Sequence, residues 1–120
     1  MSSCESRAMS LWGKLIHSIF RHRCAMCGST YMLEAHHIAG RRSLAVRYAI
    51  KLGILLCQYC HKEAPNAPHK HPTAFFKWLR RNYPERYELY VSLKNKIVRH
   101  YEIDMKEICR ELEQLAKYAA

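Results

Sequence analysis

Apolar residues fall at helical spacing near both ends of this chain, and between those stretches the pattern breaks into short runs. Ser10 to Arg21 sets Leu11, Trp12, Leu15, Ile16, Ile19 and Phe20 against Lys14, His17, Ser18 and Arg21, which predicts an amphipathic helix. In the middle of the chain, Ile54 to Leu56 is a short apolar run between Gly53 and a cysteine. It predicts a strand, with a second short strand expected around His36-His37. Leu44 to Lys51 reads equally well as helix or loop. Glu63 to Pro72 carries Pro65, Pro68 and Pro72, and three prolines in eight positions forbid a helix.

The C-terminal third returns to the helical period. Thr73 is placed to cap a helix through Asn82, and Pro84 suits the first turn of another through Arg99. Asp104 with Glu107 three residues later makes a capping box for a last helix to about Tyr118. Phe75, Phe76, Trp78, Leu79, Tyr87, Tyr90, Leu112 and Leu115 are expected to pack against the central module. These elements give an α+β chain with one domain. Its parts are an N-terminal helix over 1–23, a core over 24–62, a proline-rich loop over 63–72 and a helical extension over 73–120.

Charge narrows the class of partner. The 120 residues hold 20 Lys and Arg against 10 Asp and Glu, for a formal charge of +10, spread from Arg7 to Lys117. A polyanion is the natural partner, and nucleic acid fits better than a membrane surface. No segment approaches the roughly 18 consecutive apolar residues of a membrane span, and the first residues lack the apolar run of a secretory signal. The expectation is therefore a cytoplasmic protein, in which cysteines serve more often as metal ligands than as disulfides.

The six cysteines carry the first chemistry. Cys24-Ala-Met-Cys27 and Cys57-Gln-Tyr-Cys60 are two knuckles, and four thiolates at this spacing close a tetrahedral structural zinc site. Cys4 and Cys109 lie outside the knuckles and are expected to be ordinary thiols. Histidines carry the second. Glu34-Ala-His36-His37-Ile38 lies between the knuckles, and His61 follows the last one. Adjacent strand residues point to opposite faces. If His36 points toward His61, the two imidazoles share one divalent ion and His37 is left to face a water. A neutral imidazole suits that base, its reference pKa being about 6.5. Glu34 is expected to be a solvent-exposed strand residue, with a role as acceptor behind the histidines as the alternative. His69 and His71 in the proline loop are expected to be solvated.

At these residues the chain resembles the zinc-containing HNH nucleases of phage, restriction and homing systems. The resemblance rests on Cys24-x-x-Cys27, Leu33-Glu-Ala-His36-His37-Ile38 and Gly53-Ile-Leu-Leu-Cys57-x-x-Cys60-His61, about 40 residues, and His71-Pro-Thr-x-Phe75-Phe76-x-Trp78 is similar to the extension of small phage members. It implies a ββα-metal core buttressed by zinc on Cys24, Cys27, Cys57 and Cys60. His36 and His61 would hold a catalytic divalent cation, Mg²⁺ or Mn²⁺ first, with Ni²⁺, Co²⁺ or Zn²⁺ open, and His37 would be the general base. The implied activity is hydrolysis of phosphodiesters in double-stranded DNA, in the cytoplasm of a bacterial or phage-infected cell. Arg41, Arg42 and Arg47 are the candidate phosphate contacts, and Lys77, Arg80 and Arg81 form a second basic patch. A monomer would nick, whereas a homodimer would make paired cuts, and the sequence leaves both open.

One position departs from the family pattern: Leu52 stands where the family's middle Asn is common. The competing reading is therefore a catalytically silent zinc module that only binds nucleic acid. A third is an adaptor whose terminal helices mediate assembly.

Overall fold

In the computed structural model, residues 3–40, 44–93 and 104–118 are described. Their architecture is α+β, six helices and a short 3-10 turn arranged around one two-stranded antiparallel sheet. The elements run α1 (Ser3–Ile19), β1 (Leu33–His37), α2 (Leu44–Arg47), the 3-10 turn Ile50–Leu52, β2 (Gly53–Cys57), α3 (Gln58–Lys62), α4 (Pro72–Asn82), α5 (Pro84–Leu93) and α6 (Met105–Tyr118). No helix among the described residues is long and apolar enough to cross a membrane.

The expected elements form, with shifted ends. Helix α1 starts seven residues before the expected Ser10, because Ala8 and Cys4 continue the apolar stripe one and two turns upstream of Trp12. It ends where Arg21 and His22 both take positive φ, at 55° and 56°. Helix α4 begins at Pro72 with His71 as its N-cap and no side-chain cap, so Thr73 sits inside the first turn and Pro72 does the starting. Asp104 caps α6 as expected, its Oδ1 accepting from the backbone N–H of Lys106 at 3.0 Å and Glu107 at 3.4 Å. The ambiguous stretch resolves into α2 and the 3-10 turn. The expected continuation of α5 through Arg99 falls partly outside the described residues.

The sheet explains the continuous apolar run at Ile54 to Leu56. Strand β2 is buried along its whole length, Leu55 facing a core of Ala8, Trp12, Leu15 and Ile16 from α1, and Ile54 and Leu56 facing Phe75 and Leu79 from α4. A strand covered on both faces does not alternate in polarity. Leu52 is buried, and its carbonyl accepts from Ile38 N–H at 2.8 Å, so this position serves the core and the strand ends.

One sequence expectation is overturned. Cys4 and Cys109 are not free thiols: they form a disulfide that joins α1 to α6. The same contact surface holds Leu112 of α6 against α1, with Arg7 and Glu113 paired at 2.9 Å on its rim. Two cysteines that each extend the apolar stripe of their own helix meet when those stripes pack.

Candidate metal centres

Two clusters of metal-ligating side chains flank the junction of β2 and α3. The first gathers the knuckles. Cys24 N–H donates to Ser29 O and Gly28 N–H to Cys24 O, with Gly28 at φ 77°, which folds the first knuckle into a tight turn. Ala25 N–H then ties that turn to Leu55 O of β2. Cys57 ends β2 and caps α3, its sulfur accepting from Cys60 N–H at 3.5 Å. The sulfurs of Cys24, Cys27, Cys57 and Cys60 all lie within 4.8 Å of one another. Tetrahedral zinc with Zn–S near 2.3 Å needs sulfurs about 3.8 Å apart, and Cys27 and Cys57 stand at 3.6 Å.

The electrostatics suit a cation at that point. Burial works against ionising Cys24, but the backbone N–H groups of Cys27, Cys57 and Met26 outweigh it and bring the thiol to about 7. Burial and the three neighbouring sulfurs push Cys60 far up. The Cys24 thiolate is therefore stabilised by the backbone, whereas a positive ion beside the sulfurs would be needed to ionise Cys60.

The second cluster is built from β1, α3 and the proline loop. Glu34 and His36 are two residues apart on β1 and share a face, across from Leu56 and Ile54 of β2. That face meets α3, where His61 is only 9% exposed. His61 Nδ1 lies 2.9 Å from Glu34 Oε1, and Lys62 Nζ lies 3.4 Å from Oε2 of the same carboxylate. A carboxylate accepts, so Nδ1 carries the proton and Nε2 presents a lone pair. The hydrogen bond from His61, with help from Lys62, holds the Glu34 carboxyl below its usual range against some burial.

His61 Nε2 in turn stands 3.0 Å from His36 Nδ1 and 2.9 Å from His69 Nε2. These three nitrogens fit a shared ion, because imidazoles about 2.0–2.1 Å from zinc sit roughly 3.3 Å apart. Burial, then the neighbouring imidazoles of His61, His69 and His37, lowers His36 to about 3. His69 is lowered too, first by burial and then by His61. His36 and His69 thus stay neutral and offer lone pairs.

His69 is the residue that sequence reasoning undervalued. It is exposed, as expected of the loop, yet the loop folds back to bring it to His61. The turn is made by Ala67 N–H bonding to Ala64 O and His71 N–H to Ala67 O, between Pro65 and Pro72. The available signal was stiffness: three prolines restrict a loop that returns to its own starting helix. His71, by contrast, is exposed and outside the cluster, as expected.

His37 points to the opposite face of β1, where its ring stacks on Trp12 with centroids 4.0 Å apart and planes within 10°. Trp12 is itself fixed by donating from Nε1 to Ala49 O at 3.1 Å. Although His37 is only 8% exposed, it lines with His36, His61, His69, Ala35 and Gly40 a cleft of about 340 Å³. Arg47 is half-buried in α2 and does not line this cleft. Arg41 and Arg42 lie outside the described residues.

The four-cysteine cluster and the three-histidine cluster are thus both assembled by one short stretch of chain from Cys57 to His69 reaching back to β1 and the first knuckle. Comparison with protein-family models, with curated proteins and with solved structures finds no match to this chain.

Proposed function

We propose that this chain is a metal-dependent endonuclease of the HNH type that hydrolyses phosphodiester bonds of double-stranded DNA. The observation that carries the reading is the convergence of His36, His61 and His69 on one point of a cleft that His37 also lines. A module that only bound nucleic acid would need the four thiolates and would have no use for four imidazoles around one cleft.

In this reading Cys24, Cys27, Cys57 and Cys60 hold a structural zinc, and His36, His61 and His69 hold a second divalent ion. That second ion, when bound, supplies positive charge against a phosphate oxygen and the departing oxygen. Three imidazoles without a coordinating carboxylate suit Zn²⁺, Ni²⁺, Co²⁺ or Mn²⁺ better than Mg²⁺. Glu34 fixes the tautomer and the orientation of His61 and makes its Nε2 a better donor. His37 accepts the proton from water as a neutral imidazole, and the Trp12 ring holds its plane. The charge of +10 draws the DNA backbone to the surface, with Arg41, Arg42 and Arg47 as phosphate contacts.

The test is relaxation of supercoiled plasmid by the purified chain with Mn²⁺, Ni²⁺, Zn²⁺, Mg²⁺ or EDTA, beside the His37→Ala variant. Metal-dependent nicking that the variant loses, while it keeps zinc and DNA binding, is the expected result. DNA binding without cleavage under every metal would instead favour a silent zinc module, for which Leu52 in place of the family's Asn is the motivating residue.

A further inference from the structure

Helices α4 and α5 form a basic and aromatic groove that the cleavage cleft does not use. Helix α4 carries Lys77, Arg80 and Arg81 and no acidic residue. Helix α5 buries none of its residues fully, so Tyr87 and Tyr90 are half-exposed along it. Tyr90 stacks on Phe76 of α4 with centroids 4.5 Å apart, and the guanidinium of Arg80 lies over the Tyr87 ring at 5.8 Å. Thr73, Phe76, Lys77, Arg80, Tyr87 and Tyr90 line a groove of about 450 Å³ between the two helices. Arg80 and Lys77 are exposed, and neither has an ion-pair partner among the described residues.

The groove extends toward the loop that carries His69. A neighbouring depression is lined by Lys70, His71, Pro72, Thr73 and Lys77, so the two share Pro72, Thr73 and Lys77. Lys70 directly follows His69. Beneath this path Phe75 packs edge-on against His36, centroids 5.7 Å apart. The basic stretch ends past Tyr87, where the surface meets Glu88.

We propose that this groove binds an unpaired nucleic-acid strand leading away from the histidine cleft, with phosphates on Lys77 and Arg80 and bases against the aromatic rings of α4 and α5. Cations alone would serve any anion, and half-exposed aromatic rings alone would be helix packing. Interleaved along one groove, they are the elements that hold single strands, in which bases stack on rings while the backbone follows the charge. A duplex keeps its bases stacked on each other and offers the rings nothing. Resting on the nuclease reading, the inference names its substrate class: DNA with a single-stranded branch or end beside the cut.

The test is fluorescence anisotropy of the full chain with a labelled single strand and with the blunt duplex formed from it, without added divalent metal. The single strand is expected to bind more tightly. Lys77→Gln with Arg80→Gln should flatten the salt dependence of single-strand binding, lowering the slope of log K against log salt by about 1.4, from about 0.7 per phosphate contact. Tyr90→Leu should weaken single-strand binding about fivefold or more and leave duplex binding alone. Because Tyr90 also packs on Phe76, its variant is checked by circular dichroism; the Lys77 and Arg80 pair is exposed and needs no such rescue. Equal affinity for both DNA forms, or an unchanged salt slope in the double variant, would overturn the groove. Plasmid nicking by that variant would leave the nuclease reading standing alone. Single-strand preference in a protein that cleaves under no metal would do the reverse.

Discussion

Reducing the Cys4–Cys109 disulfide should cost this protein a large part of its stability without undocking α6. The bridge closes a loop with a sequence separation of 105, and loop-closure entropy for that length is worth about 4.7 kcal/mol at 25 °C. Zinc at the knuckles trims the figure if the metal stays bound in the unfolded chain. Cys27 and Cys57 are 30 positions apart, so pinning them shortens the effective loop from 105 to about 75 residues and removes about 0.3 kcal/mol. With a urea dependence of roughly 1.5 kcal/mol per molar, the midpoint should fall by about 3 M on reduction. The reduced protein still folds, because Ala8, Trp12 and Leu15 remain packed with Leu112. The Arg7–Glu113 pair adds little, since the Arg7 side chain is 64% exposed. The assay is urea unfolding of zinc-loaded protein with and without a non-chelating reductant, beside a variant carrying Cys4→Ala and Cys109→Ala. That variant should match the reduced protein and ignore the reductant. Alkylation of Cys4 and Cys109 in protein never exposed to reductant, or a midpoint change equivalent to less than about 1 kcal/mol, would refute the reasoning.

Three further outcomes follow from the site and its support. A methyl group on Gly53 would meet Trp12 Cζ2 at 2.6 Å and overlap Ile16, so Gly53→Ala should destabilise by about 1–3 kcal/mol in thermal or urea unfolding; a variant as stable as the parent would show that α1 yields easily. His69→Ala should weaken Co²⁺ or Ni²⁺ binding at the histidine cluster while leaving one tightly held zinc, measured by calorimetry and elemental analysis, and unchanged affinity would remove His69 from the ligand set. Glu34→Gln should lower that same affinity about 10- to 100-fold, and an effect confined to protein stability would make Glu34 a strand residue and nothing more.

How much of this could be read from residues alone depended on whether the signal was local. The two knuckles, the strands beside them and the capping of α6 by Asp104 are written in short spacings, and the structure has them. The pairing of His36 with His61 was legible because β1 and α3 adjoin the same knuckles. His69 was not, since its approach depends on how the proline loop turns, and three prolines say only that the loop is stiff. Cys4 and Cys109 were misread for a related reason. Their contact depends on the packing of the first helix against the last, which no spacing reports, and the expectation of a cytoplasmic protein, in which disulfides are scarce, argues the other way. Thr73 is not the cap because Pro72 next to it starts the helix, which moves the cap two residues earlier, to His71.

Cys60 and His61 are neighbours on a single turn of α3, and this would impose an order of filling on the two candidate metal centres. The turn that presents His61 is held by Cys57 and Cys60, so the cysteine cluster must close before the histidines can face one another. Loading should be sequential and unloading should run in reverse. With both centres filled, a mild chelator would strip the ion on the histidines first and leave a folded protein that takes it up again. A strong one would reach the thiolates, starting at the exposed Cys27, and take both centres together.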